Sequence, residues 1–354
     1  MSSVLQAAKI TFRAADIRSE LYDQLKRPLH DLRISVIDRC NLRCSYCMPE
    51  TETLKRHSFI NADKRLSFAE IERLVRVFAK LGVAKVRLTG GEPLLRRDLP
   101  SLIARLNNIP GIEDIGLTTN GILLERHAAA LSQAGLHRVT VSLDALDKTR
   151  LAIISGGRAD KEKILAGIDA ALKHNLAPVK VNTVVIRGVN DTEVLPLVEH
   201  FRNTGVILRF IEYMDTGTIS QWQRSSVVSS KELLQLIHQR WPLRAQTQNY
   251  QGEVASRYIF EDGAGEIGFI SSVTQPFCEA CTRARITSDG KLYTCLFGKS
   301  GFDLRALLSA GASDEEITNS ICGVWSKRED RYSELRNGTQ NQTIEHAEMF
   351  YLGG

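Results

Sequence analysis

Three cysteines fall close together in the stretch DRCNLRCSYCMP, at Cys40, Cys44 and Cys47, and three more, Cys278, Cys281 and Cys295, stand in FCEACTRARITSDGKLYTC. Two thiols make a disulfide, and a structural zinc site or a plain electron-transfer cluster takes four ligands. Triads ask for something else. A four-iron, four-sulfur cube held by three thiolates keeps one iron with an open coordination position, which a small molecule can fill. The first triad, spaced C-x3-C-x2-C, is read in that way; a zinc knuckle or a redox thiol pair is the alternative, and zinc's preference for four protein ligands weighs against it. The second triad, spaced C-x2-C-x13-C, leaves open a second cube with a vacant iron, a site closed by Cys322, or a structural zinc. Arg283 and Arg285 lie within it, just after Cys281 and two apart, so they share one side of a strand. Guanidinium forks there suit phosphate or carboxylate better than a buried metal scaffold.

These residues must be held by something, and the chain has a clear rhythm. Strand patterns run over 32–37, 84–89, 114–118, 138–143, 180–186 and 206–213, with helical patterns over 68–81, 98–108, 124–134, 161–174, 191–203 and 231–240. In SFAEIERLVRVFAKLG, Ser67 and Glu70 form a capping box and Gly82 supplies the stop. Alternation at this spacing implies parallel strands joined by right-handed crossovers. Six units are too few for a closed eight-fold barrel, so the expected fold is α/β, an incomplete (β/α)6 TIM-like barrel, with a doubly wound sheet as the alternative. In such a barrel, chemistry sits on loops leaving the strand C-termini. The cysteine loop, TGGEP, TTNG and SLDA all fall there. Arg33, Arg87 and Lys180 sit inside apolar strands, where an unpaired cation would be expensive. Beyond about residue 242 the pattern changes to short strands and turns, with hairpins through DGAG and SDG, and the tail from about 310 is weakly patterned. The expected division is an N-terminal arm over 1–30, a partial barrel over 31–241 and a smaller β-rich region over 242–354 carrying the second cysteine group.

Composition narrows the class. Of 354 residues, 43% are hydrophobic and 25% charged, which suits a folded globular chain. A net charge of +5 without a concentrated basic stripe allows an anionic substrate but gives no support for nucleic acid. No apolar run approaches the roughly 20 residues of a membrane span. The first residues lack a signal or transit pattern. Seven cysteines, an odd and clustered set, point to reduced thiols and a cytoplasmic setting.

CNLRCSYC is the C-x3-C-x2-C signature of the radical S-adenosylmethionine (SAM) enzymes. The resemblance implies that SAM chelates the vacant iron of the cube on Cys40, Cys44 and Cys47, and that one electron cleaves it to a 5′-deoxyadenosyl radical. It carries Tyr46 and Met214 over as adenine contacts, Gly90, Gly91 and Glu92 as the motif engaging the SAM ammonium, and Ser142 as a ribose or carboxylate contact. More narrowly, LRISVIDRCNLRCSYCMP, KVRLTGGEPLLR, GLTTNG, VSLDALD, VNTVVIRGVND, FIEYMDTG and FCEACTRARITSDGKLYTCLFG, in this order, resemble the MoaA family of GTP 3′,8-cyclases, over about Asp31 to Phe297. Glu279, Thr282 and the stretch ETETLKRHSFINADK depart from that family's usual pattern.

The family resemblance implies two [4Fe-4S] clusters plus SAM, GTP as substrate and molybdenum cofactor synthesis as the pathway. The second cluster, on Cys278, Cys281 and Cys295, would bind the guanine; the ribose 3′ hydrogen would be abstracted and C8 attacked, giving 3′,8-cyclo-GTP. Arg33, Arg87, Thr118, Lys180, Arg283 and Arg285 match its GTP contacts, and Gly353-Gly354 matches a tail that enters the active site. The implied partners are an electron donor such as flavodoxin or ferredoxin and the next pathway enzyme, cyclic pyranopterin monophosphate synthase, with a homodimer among the assemblies left open. Cys322 is expected to be a buried thiol. Two other readings stand beside this one. A peptide-modifying radical SAM enzyme also carries C-terminal clusters, generally with more cysteines; a zinc-stabilised binding module would be colourless and air-stable.

Overall fold

Side-chain alternation along the first strands decides the architecture. In β1 (Asp31–Ser35) Leu32 and Ile34 are buried on one face, while Asp31 and Arg33 occupy the other. The same two-faced pattern recurs in β2 (Lys85–Thr89), β3 (Asp114–Thr119), β4 (Arg138–Ser142), β5 (Lys180–Val185) and β6 (Ile207–Glu212). A strand with one apolar and one polar face must cover the first with helices and curl around the second. The chain does so in a computed structural model that describes residues 21–220, 222–250, 252–336 and 346–354. Helices Phe68–Lys80, Leu99–Asn107, Leu124–Gln133, Lys161–Lys173, Val194–Phe201 and Ser230–Arg240 make the crossovers, within about three residues of the sequence expectation. The Ser67–Glu70 capping box is present, and Leu74, Val77 and Phe78 of its helix are fully buried.

Six further strands complete the sheet: β7 (Leu243–Gln246), β8 (Ser256–Phe260), β9 (Glu266–Ile270), β10 (Arg283–Ile286), β11 (Lys291–Tyr293) and β12 (Phe302–Asp303). Among the described residues the order is β12-β11-β10-β1-β2-β3-β4-β5-β6-β9-β8-β7. β1 to β6 are parallel neighbours as expected, and the sheet is not closed, which is a partial barrel. The region after 242 does not form a sheet of its own. β9 adds in parallel beside β6 and β10 beside β1, so this region extends the barrel at both edges. Both expected hairpins form, β8–β9 and β10–β11.

Two local features differ from the sequence reading. The weakly patterned tail contains a helix, Asp314–Trp325, with its own capping box from Ser313 and Glu316. The 1–30 arm divides: residues 1–20 lie outside the described residues, whereas residues 21–30 are packed, with Asp23 and Arg27 buried. No helix among the described residues is long and apolar enough to cross a membrane.

The end of β6 is pinned by one carboxylate. Glu212, with no exposed surface, accepts from the backbone N–H of Ser230, Val273 and Thr274, each at 2.8 Å, and from the Thr274 hydroxyl at 2.6 Å. It ties β6 to a crossover helix and to the loop after β9. Glu212→Ala removes the acceptor of four donors, three backbone N–H groups and a hydroxyl, and the expected loss is about 3 kcal/mol. Denaturant unfolding of the variant checks it; a loss below about 1 kcal/mol would contradict this account.

Candidate active site

The loop between β1 and residue 49 carries the first thiol triad. It is fixed by the backbone that leaves β2: Gly91 N–H donates to the Ile37 carbonyl at 2.7 Å and Glu92 N–H to that of Arg39 at 2.8 Å. The approach is so close that a Cβ on Gly90 would lie 2.3 Å from the Ile37 oxygen, and one on Gly91 2.4 Å from the Arg39 oxygen. From sequence these glycines were expected to admit a ligand; the nearest atoms they admit belong to the cysteine loop itself. Glu92 is likewise committed, accepting from Leu94 N–H, the Thr119 hydroxyl and Asn120 N–H at 3.0, 2.7 and 2.8 Å. Burial raises its carboxyl to about 7 against those hydrogen bonds. Neither glycine nor Glu92 lines the cavity described below. Asn120 in turn reaches Asn41 at 2.8 Å, so Glu92 acts on the loop through its neighbour.

The 51–65 segment roofs the triad. Ile60 N–H donates to Asp38 at 2.7 Å, and Met48, Leu54 and Phe350 form a small apolar cluster against which Cys40, Cys47 and Phe59 pack. Burial pushes the Cys40 thiol up to about 11, with a Leu42 N–H opposing and the Glu92 charge adding. Cys44 and Cys47 are also raised, first by burial and then by charged neighbours. The free thiols are therefore held neutral, and ionise only when a metal takes the proton's place. Among the described residues no three His, Cys, Asp or Glu side chains converge to hold a metal ion. Zinc with bonds of ~2.3 Å needs its sulfurs within about 4 Å of one another. A cube binds each thiolate to a different iron, so it takes its sulfurs farther apart than one zinc does, and with three thiolates it keeps one iron open.

Inside the barrel lies a cavity of about 270 Å³. Tyr46 of the first cysteine loop lines it, as do Ser142 and Met214, and Cys278, Cys281 and Cys295 line it too. The Tyr46 hydroxyl donates to Asp144 at 2.8 Å, and burial lifts that carboxyl to about 6. Arg33, Arg87, Thr118, Lys180, Arg283 and Arg285 all reach the same cavity. Strand register explains why: Arg285, Arg33, Arg87, Gly116 and Arg138 are successive partners across the sheet and form one layer of cations. Lys85, Arg138 and Arg209 join the lining and were missed from sequence, as were Asn182 and Tyr250. Inward alternation was the available signal for Lys85 and Asn182, two residues from Arg87 and Lys180; Arg138 and Arg209 pair with Gly116 and Asn182 and are reached only through register, and Tyr250 lies in the loop between β7 and β8.

These cations are short of partners. Arg87 donates to Thr118 at 3.1 Å and Thr140 at 3.2 Å, but Arg33 and Arg285 have no ion pair or hydrogen bond among the described residues. The Nε atoms of Arg209, Arg283 and Arg285 are buried without an acceptor. Burial and the neighbouring guanidiniums bring Lys180 down to about 7, and Arg87 and Arg285 to about 10. Unpaired buried positive charge is costly, and a polyanion is the ligand that relieves it.

The second triad is electropositive by contrast. Burial opposes ionisation of Cys281, yet Arg283 and Arg328 beside it bring the thiol down to about 6. Cys322, the fourth-ligand alternative, packs instead against the main apolar core and does not line the cavity. Gly353 is buried between Ser35 and Thr89, with φ +75°, and a Cβ there would lie 2.4 Å from the Thr89 methyl. Gly354 lines the cavity and accepts from the Thr89 hydroxyl at 3.3 Å.

Comparison with known proteins agrees with this arrangement. The radical SAM superfamily model matches residues 34–201, and the model described as Molybdenum Cofactor Synthesis C matches 206–334. A GTP 3′,8-cyclase of Xanthomonas axonopodis pv. citri is 53% identical over 334 residues, covering 94% of this chain and 99% of that protein. One of Staphylococcus aureus is 45% identical over 338 residues, covering 95% and 99%. Among solved structures, Streptococcus suis SuiB bound to S-adenosylmethionine superimposes with a TM-score of 0.62 at 15% identity, covering 92% of this chain and 78% of that one, a likeness of fold alone.

If Gly91 is required by the cysteine loop, Gly91→Ala should displace Arg39 and misplace the first triad while sparing the second. Anaerobically reconstituted variant should hold about half the iron and sulfide of the parent. Full iron content would show that the loop tolerates the methyl.

Proposed function

Because the chain belongs to the GTP 3′,8-cyclase family of radical SAM enzymes, we propose that its barrel cavity cyclises GTP between a cluster at each triad. The enzyme is a lyase of the opening step of molybdenum cofactor synthesis. The observation that carries the residue assignments is one cavity lined by Tyr46 of the first cysteine loop, by Met214, by the three thiols of the second triad, and by Arg33 and Arg285, which have no ion pair or hydrogen bond among the described residues. When bound, the two [4Fe-4S] clusters and SAM supply one-electron cleavage at the first triad and a coordination position for the purine at the second.

The chain's own residues do the rest. Arg33, Arg87, Lys180, Arg283 and Arg285, with Lys85 and Arg209, hold the triphosphate, whose charge offsets theirs. Thr118 accepts from Arg87 and keeps its own hydrogen to donate to the nucleotide. Tyr46, steered by Asp144, and Met214 present apolar surface to the adenine, and Ser142 a hydroxyl to the rest of SAM. Gly90, Gly91 and Glu92 set the cysteine loop and its approach to SAM. The apolar roof of Met48, Leu54 and Phe350 keeps water and oxygen from the first triad. Gly353 and Gly354 thread between β1 and β2 where a side chain would clash. The 31–241 and 242–354 segments are then divisions of role within one sheet, the first binding SAM and the second the purine. The seven unpaired thiols favour a reducing cytoplasm. A small low-potential donor of the flavodoxin or ferredoxin type supplies electrons, the synthase of cyclic pyranopterin monophosphate consumes the product, and a homodimer is the proposed assembly.

Anaerobic protein with SAM, dithionite and GTP should yield cyclised nucleotide, and a chain lacking Gly353 and Gly354 should cleave SAM while cyclising little. If 5′-deoxyadenosine forms while GTP stays intact with the full chain, the substrate assignment fails. Lys180 gives a second handle. Its ammonium is depressed to about 7 in the free protein, so it is charged below that pH and neutral above it. A bound triphosphate favours the charged form, hence affinity falls as pH rises from 6 to 8.5, by up to about tenfold per unit above 7. Lys180→Met should bind more weakly at pH 6 and lose this slope, leaving the nucleotide's own titration; equal slopes by calorimetry would refute the role.

A further inference from the structure

We propose that Arg328 raises the reduction potential of the cluster on Cys278, Cys281 and Cys295 by donating a hydrogen bond from a buried guanidinium to the Cys281 sulfur. This rests on the reading above that those thiols hold a cluster, and it concerns a residue that lies well outside the cysteine motif. Arg328 Nη2 lies 3.2 Å from Cys281 Sγ, and Nη1 donates to the Cys281 carbonyl at 2.8 Å. The guanidinium is fixed from every side. Nε donates to the Thr294 carbonyl at 3.1 Å, Nη1 to Asp23 at 3.0 Å, and its carbon sits 4.5 Å over the Trp325 ring. Trp325 is itself held by the Arg27 carbonyl at 3.2 Å.

Charge balance says what this arrangement is for. Arg27 and Arg328 share one buried carboxylate, Asp23, at 2.6 and 3.0 Å. Asp330 stands 3.4 Å from Arg328 but is one-third exposed, so water screens it. A third guanidinium, Arg283, reaches the same sulfur at 3.4 Å. Positive charge is in surplus around Cys281, and a buried guanidinium is stable only against a matching anion. The matching anion is the thiolate of a cluster. Arg27 meanwhile donates to the Cys278 carbonyl at 2.8 Å, so the same ion network braces two of the three ligand residues.

The first triad has the opposite surroundings. Carboxylates bear on each of its thiols, Glu92 at Cys40 (where Arg43 opposes it), Asp144 at Cys44 and Glu348 at Cys47, whereas at the second triad only Cys295 has a carboxylate, Asp330, before its arginines. Hydrogen bonds to sulfur and nearby positive charge favour the reduced, more negative cluster, while carboxylates disfavour it. One chain thereby separates two cubes with the same ligand count: the first is the stronger reductant, and the second accepts an electron more easily.

The test is a redox titration of the anaerobic holoenzyme followed by electron paramagnetic resonance, in which the signal insensitive to SAM belongs to the second cluster. Arg328→Lys keeps the charge and loses the fork; Arg328→Met loses both. The expected result is a more negative midpoint for the SAM-insensitive signal in the lysine variant, more negative still in the methionine variant, with the SAM-sensitive signal unmoved. Should the methionine variant fail to take up the second cluster, the lysine variant alone decides. Two clusters with unchanged midpoints would overturn the proposal, and so would loss of the second cluster from both variants, which marks a purely structural arginine. Parent protein that takes up only one cluster fails the underlying reading instead.

Discussion

Buried positive charge without a protein counter-charge is the constraint on which this molecule turns. A guanidinium deprived of water is stable only against an anion, and the barrel interior gathers more of them than its carboxylates can match. Arg33 and Arg285 face each other across adjacent strands, with Arg87 next in line. No folding pressure asks for that, since the same strands would close more easily over apolar side chains. What the cations need is supplied from outside, and a nucleotide triphosphate carries the right sign and multiplicity. The parallel strands, the helices that cover their outer faces and the turns that hold the cysteine loops keep this unfinished interior in shape until it is completed.

The two ends of the cavity solve different problems with the same three-thiol device. At one end the chain surrounds the sulfurs with apolar groups and carboxylates; at the other it surrounds them with arginines. The number of ligands is set by the need for a vacant iron, and the difference in behaviour comes from what stands one layer further out. Those outer residues are drawn from remote parts of the chain. Asp23 and Arg328, 305 positions apart, meet at the second triad.

Much of this was legible in the residues. Cysteine spacing, the strand-helix rhythm and cations placed inside apolar runs are local signals, and each led to a residue that the fold brings into or beside the cavity. What was less legible depends on register. Arg138 and Arg209 join the cation layer only once register places them across from Gly116 and Asn182. Gly90 and Gly91 were rightly taken as sites of close approach, but only the folded loop shows that Ile37 and Arg39 are what approaches. The helix over Asp314–Trp325 had a readable cap in Ser313 and Glu316, overlooked because the residues beyond it carry a weak apolar stripe. Arg328 had no local signal at all, since a lone arginine in WSKRED reads as a solvated charge.

The pairing of β1 with β10 has a price in the order of assembly. Asp31 lies beside Arg283, so β1 waits for a strand synthesised some 250 residues later. Until then β1 offers an open row of backbone donors and acceptors, the kind of edge that recruits other chains. Nascent or truncated chains ending before β10 are therefore the species that chaperones must shield, until that long gap has closed.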